Sequence, residues 1–251
     1  MGYTHYFDVE PHLDPDRFKN VVLDFKKMLP VFQKLGIQLC HWDGDPDIKL
    51  EVTNKVIAFN GNAKCGHEQR NLGITWPSDN ANGVDFAYEQ GAEVPCKTVV
   101  TMLNKLGYKD SNIVQNGKIP SSEPDGKESL RANDSDVSGS WFAGLQLKTR
   151  TCGGDCSHES FVLNKDFVPE EWQKPKANGK YFQFCKTAYK PYDLAVNCAL
   201  IIAKHHLGDQ IEVRSDGTLK QWSDSMQLCQ NVLGYGNDFR FDEEKRNKNR
   251  G

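Results

Sequence analysis

Residues 181–208 read YFQFCKTAYKPYDLAVNCALIIAKHHLG. The aromatic run Tyr181–Phe184 predicts a strand. Residues 192–207 carry Leu194, Ala195, Val196, Cys198, Ala199, Leu200, Ile201, Ile202, Ala203 and Leu207. Apolar side chains therefore fall almost all round the helix they predict, which places it at the centre of the core. Pro191 opens that helix, because proline at the first helical position gives up an N–H that has no partner there anyway. Gly208 ends it. A strand, a polar turn and a fully apolar helix in 28 residues commit this end of the chain to a mixed layer of sheet and helix.

Outward from this stretch the elements alternate. Ile211–Val213 is a short strand, and Ser215-Asp216-Gly217 turns the chain. Thr218 and Gln221 have the spacing of a capping box. Trp222, Met226, Cys229 and Leu233 follow as the buried face of a last helix. The charged tail from Asp242 onward predicts fraying. At the other end, residues 3–8 form an aromatic strand. Asp14-Pro15 then starts an amphipathic helix bearing Phe18, Val21, Val22, Phe25, Met28 and Leu29, and Pro30 is expected to end or kink it. Strands are expected near 48–52 and 55–60, with Asn60-Gly61 as the turn signal. Further elements are expected at 84–88 (strand), 98–106 (helix) and Trp141–Leu147 (strand). Residues 116–140 lack large apolar side chains and read as an insertion. The expected fold is a single α+β domain over 1–251, with a mixed or antiparallel sheet and helices packed mainly on one face.

A net charge of −3 over 251 residues provides no global attraction to nucleic acid or to an anionic membrane. No apolar run approaches the ~20 residues of a membrane span. Met1–Phe7 lacks the basic and apolar regions of a signal peptide, so a cytoplasmic location and no membrane partner are expected. Eight cysteines are too few for a disulfide scaffold. Dinucleotide, P-loop, serine-hydrolase and zinc-protease signatures are missing.

Three groups of residues carry chemistry. Cys65, His67, Cys152, Cys156 and His158 are thiols and imidazoles in two tight groups, the donor types zinc prefers. Their spacings are not those of an established zinc motif, and a Cys152–Cys156 disulfide is the alternative in an oxidising compartment. His158-Glu159 pairs a near-neutral base with a carboxylate. Lys186, Thr187 and Lys190 precede a helix N-terminus, where free N–H groups and cations would together hold an anion. Tyr192 and Asp193 sit in the first turn of that helix, and either would serve equally as a packing or capping residue. Two words also recur: Cys65-Gly66-His67-Glu68 followed by Cys96-Lys97-Thr98, and Cys156-Ser157-His158-Glu159 followed by Cys185-Lys186-Thr187. Their flanks agree poorly, and chance accounts for them slightly better than duplication does.

Gly2-Tyr3-Thr4-His5-Tyr6, Ile57-Ala58-Phe59-Asn60-Gly61, His158-Glu159-Ser160-Phe161 and Phe184-Cys185-Lys186-Thr187-Ala188-x-Lys190-Pro191-Tyr192-Asp193 together resemble an uncharacterised family of small phage and bacterial proteins. Ser215-Asp216-Gly217 with Trp222 is similar to its C-terminal part. The chain departs from that pattern between about 62 and 140, which looks like an expansion. The resemblance implies that His5, His158, Glu159, Lys186, Thr187, Lys190, Tyr192 and Asp193 lie near one another; it implies no reaction.

These readings lead to an intracellular enzyme acting on an anionic small molecule or nucleotide-like group. Lys186, Thr187 and Lys190 would hold the anion, His158 or His5 with Glu159 would move a proton, and Tyr192 and Asp193 would orient the site. A non-enzymatic binding module, for nucleic acid or a protein partner, and a zinc-stabilised structural protein are the alternatives. Zinc is the one cofactor the residue types suggest.

Overall fold

The computed structural model describes residues 3–35, 37–65, 139–142, 145–148, 150, 152 and 154–242. The elements expected at 84–88 and 98–106, nearly all of the 116–140 insertion, His67, Cys96 and the tail beyond Asp242 lie outside them.

Among the described residues, two antiparallel sheets, a further hairpin and three helices make an α+β fold. In chain order the elements are β1 (Thr4–Val9), α1 (Pro15–Lys34), β2 (Leu39–Cys40), β3 (Glu51–Val52), β4 (Val56–Gly61), β5 (Gly139–Phe142), β6 (Leu145–Lys148), β7 (Phe161–Asn164), β8 (Tyr181–Lys186), α2 (Asp193–Leu207), β9 (Ile211–Ser215) and α3 (Ser223–Leu233). The first sheet has the order β8-β1-β9, and in the second β4 pairs with β2, β3 and β7. β5 and β6 form a separate hairpin. No helix among the described residues is long and apolar enough to cross a membrane.

Strand alternation splits β1 cleanly. His5, Phe7 and Val9 face the helices, together with Cys185, Ile211 and Val213, and all are buried. Tyr6 and Asp8 face the other way. The helix α2 lies at the centre, with twelve of its residues buried, and it packs on α1, α3 and β9. A chain of rings joins the two sheets to α1: Phe7–Phe161 at 5.7 Å, Phe161–Phe59 at 5.1 Å, Phe59–Phe25 at 5.2 Å and Phe25–Phe32 at 6.0 Å. Contacts at this spacing add a geometric preference to the burial of large apolar surface.

Three local expectations are corrected. Pro30 does not end α1, which runs on to Lys34. Pro30 and Lys26 are both exposed, so the bond that proline removes lies on the solvent side of the helix, and the buried Val31, Phe32 and Leu35 favour the extension. Asn60-Gly61 is not a turn but the end of β4; the turn lies at Thr53–Lys55, where the Thr53 hydroxyl accepts from the backbone N–H groups of Lys55 and Val56. The segment read as one strand over Trp141–Leu147 is a hairpin of β5 and β6.

The glycine at 61 has a packing reason. A methyl group there would lie 2.0 Å from the Cys156 carbonyl oxygen and 3.1 Å from the Tyr192 ring. The Cys156 N–H donates to the Asn62 carbonyl at 3.1 Å, so the Cys156 loop is laid directly on the end of β4. Gly61→Ala is expected to push this loop away at a cost of about 1–3 kcal/mol, as overpacking does elsewhere. Chemical denaturation checks this; an unchanged midpoint would mean that the loop moves freely.

Candidate metal centre and buried ion network

Cys65 lies just past β4, whereas Cys152 and Cys156 lie between β6 and β7. The close approach at Gly61 brings these segments together. The Cys65 and Cys152 sulfurs are 3.4 Å apart, those of Cys152 and Cys156 3.2 Å, and all three lie within 4.8 Å of one another. Cys152 and Cys156 are buried and Cys65 is partly so. The seven described cysteines are free thiols. Burial, and then the neighbouring thiols, push Cys156 well up from its ordinary value, and burial raises Cys152 as well. Sulfurs on a tetrahedral zinc with ~2.3 Å bonds sit about 3.8 Å apart, so shifts of no more than about 1 Å in the sulfur separations would convert this cluster into three zinc ligands. Ligation would displace the thiol protons. The first cysteines of the two repeated words, Cys65 and Cys156, thus share one cluster.

Lys190 braces the same loop. Its ammonium donates to the carbonyl oxygens of Cys152 and Asp155. This lysine therefore fixes the backbone that carries two of the thiols.

His158, Glu159 and Tyr192 gather around the end of β8. His158 Nδ1 donates to the Lys186 carbonyl at 2.7 Å, which fixes a proton on that nitrogen. The Glu159 carboxylate accepts from the Lys186 backbone N–H at 2.9 Å. The Tyr192 hydroxyl donates to the Glu159 carbonyl at 2.6 Å. His158 is exposed, and Tyr192 is fully buried.

His5 and Asp193 belong to a different group, at the junction of β1 with the N-termini of α2 and α3. Asp193 Oδ1 is 2.7 Å from His5 Nε2 and accepts from the Thr187 hydroxyl at 2.6 Å. Its Oδ2 accepts from Arg150 Nε at 3.1 Å and from Asn197 at 3.1 Å. Arg150 continues to Asp224, with Nη1 2.7 Å from Oδ2. His5 Nδ1 meets the Ser215 hydroxyl at 2.9 Å. The side chains of His5, Arg150, Asp193 and Asp224 are completely buried. Asp193 and Asp224 each stand in the first turn of a helix, where a negative charge is favoured, and Arg150 ties the two turns together. Burial pushes the Asp193 carboxyl up, but His5, Arg150 and Thr187 outweigh it and hold the group below the usual carboxylate range. Burial opposes charge on Arg150 too, yet Asp224 and Asp193 raise its value further.

The predicted residues therefore fall into three neighbouring groups. Lys190 goes with the thiols, His158, Glu159 and Tyr192 with the Lys186 backbone, and His5, Thr187 and Asp193 with Arg150. Arg150, Asp224, Asn197 and Ser215 escaped sequence reasoning. Only the acid in a helix first turn gave a local sign, and it is shared by many helices that bind nothing. No family model, curated protein or solved structure matches the chain.

Proposed function

We propose that this chain is a zinc-stabilised protein whose metal centre is built from Cys65, Cys152 and Cys156. The observation that carries the reading is the convergence of three thiols from segments 87 residues apart to within 4.8 Å. Three thiolates suit zinc and disfavour hard cations such as magnesium. They leave the fourth corner of a zinc tetrahedron for a further donor. The site also has a clear structural job. Cys65 stands near the start of the expansion that the resemblance suggests and Cys152 beyond its end, so a metal bound here would link the chain across 87 residues. Lys190 on the Cys152–Asp155 backbone supports the same reading, because a braced loop presents its ligands with less ordering cost.

The reading as an enzyme for an anionic small molecule draws less support. Of its candidates, His5, which was to move a proton, and Asp193, which was to orient the site, are fully buried and already paired. Protein purified without chelator and without an affinity tag is expected to contain close to one zinc per chain by elemental analysis. Metal-free protein that takes up no zinc on titration would overturn the proposal.

A further inference from the structure

The helix-distal face of the β8-β1-β9 sheet bears rings and cations that the metal centre does not use. Alternation and register place three rows on it: Lys186, Thr4; Phe184, Tyr6, Arg214; and Phe182, Asp8, Glu212. Phe182 and Phe184 are 44% and 51% exposed, although each belongs to the ordered middle of a strand. Tyr6, Phe182 and Phe184 form a ladder of nearly parallel rings, 6.1 Å and 5.8 Å between centroids at 25° and 27°. The Lys176 ammonium lies 5.4 Å over the Phe182 ring. Beside the ladder is a cavity of about 440 Å³ lined by Tyr6, Phe182, Phe241, Arg214, Ser215 and Asp242.

Charge on this face differs from that of the whole chain. Lys176, Lys180, Lys186 and Arg214 stand against Asp8 and Glu212. Asp8 is held by Lys176 and Arg214, and Glu212 by Lys180. At the rim, Asp216 is engaged by the Tyr6 hydroxyl and the Thr4 N–H, and Asp242 by Lys204. The Lys186 ammonium, next to Phe184, meets no acceptor among the described residues. Within the rim the face thus carries four cations against two carboxylates, on a chain of net charge −3.

We propose that this face binds single-stranded nucleic acid. Bases stack on Phe184, Phe182 and Tyr6, and the backbone phosphates run past Lys186, Lys176 and Arg214. Stacking on exposed rings with cations alongside is the recognition mode of sequence-tolerant single-strand binders. A duplex hides its ring faces and is not recognised this way.

The test is a fluorescence-anisotropy titration of a short labelled oligothymidylate with the full chain. Saturable binding is expected at about 50 mM salt, weakening toward about 200 mM. Phe184→Ala and Phe182→Ala should each weaken it roughly tenfold or more. Phe184→Leu should do the same, because it keeps apolar bulk and loses the ring. Lys186→Ala should flatten the log–log salt slope by about 0.7. Melting temperature and zinc content should stay at wild-type values in all four variants, so failure here is distinct from failure of the metal reading. No saturable binding at low salt would overturn the proposal. Equal affinity in the ring variants, equal affinity for the duplex, or equal affinity for thymidine monophosphate would do so too. Ring variants that instead dissolve a dimer of the free protein would assign the face to self-association.

Discussion

Cys156→Ser is expected to release the metal and lower the melting temperature by roughly 10 °C. The substitution is nearly isosteric, so packing around the buried side chain changes little. What is lost is the link between Cys65 and Cys152, segments 87 residues apart. Chain-entropy arguments value a cross-link closing a loop of this size at about 4–5 kcal/mol. One kcal/mol moves the melting temperature of a chain of 150–250 residues by about 2–4 °C. A strong chelator on the wild-type protein should cause a similar fall, and added zinc should reverse it. The chelator should leave Cys156→Ser unmoved. Thermal scans with and without chelator, on both proteins, decide the matter. A wild type indifferent to chelator would reduce the three thiols to ordinary buried cysteines.

Asp193→Ala is expected to be the most damaging single change among the buried polar residues. It removes one of the two carboxylates facing Arg150, whose side chain is fully buried, and strips partners from His5, Thr187 and Asn197. Breaking one side of a buried ion pair costs about 3–5 kcal/mol, enough to move the melting temperature by roughly 10 °C or to prevent folding. Thr187→Val, which removes one hydrogen bond to the same carboxylate, should cost much less, about 1.5–3 kcal/mol. The same group sets an acid limit. Its folded value lies below its unfolded value, so its contribution is complete above about pH 3.9. That contribution is lost as the pH falls through the lower, folded value. Denaturation midpoints measured between neutral and acid pH test this. A Thr187→Val protein as unstable as Asp193→Ala would show that hydrogen bonding, not charge compensation, governs the network.

How much of this was legible before folding varies with the range of the interaction. β1, α1, β8, α2, β9 and α3 could be read because each carries its own periodicity of apolar residues. The Thr218–Gln221 pairing could be read because both of its hydrogen bonds are local, although it closes the turn before α3 and the N-cap itself is Trp222. Pro30 did not end α1, because it falls on the exposed side of the helix while the residues beyond it are buried. Asn60-Gly61 misled because its glycine answers to a neighbour nearly a hundred residues away, and the Asn60 side chain to Trp42 and His158. The thiols were legible as residue types, whereas their meeting was not.

By itself, the sequence determined an α+β layering with an apolar central helix, and an inventory of thiols, imidazoles and lysines near its N-terminus. Those follow from local periodicity and composition. Only the tertiary structure decided which of these groups meet. Lys190 turned to backbone carbonyls, and His5 and Asp193 closed on Arg150. Cys65 joined Cys152 and Cys156, and Phe182 and Phe184 were left facing out. Each outcome depends on which segments β4, β1 and α2 bring together, and contacts between distant segments leave no spacing in the chain to read.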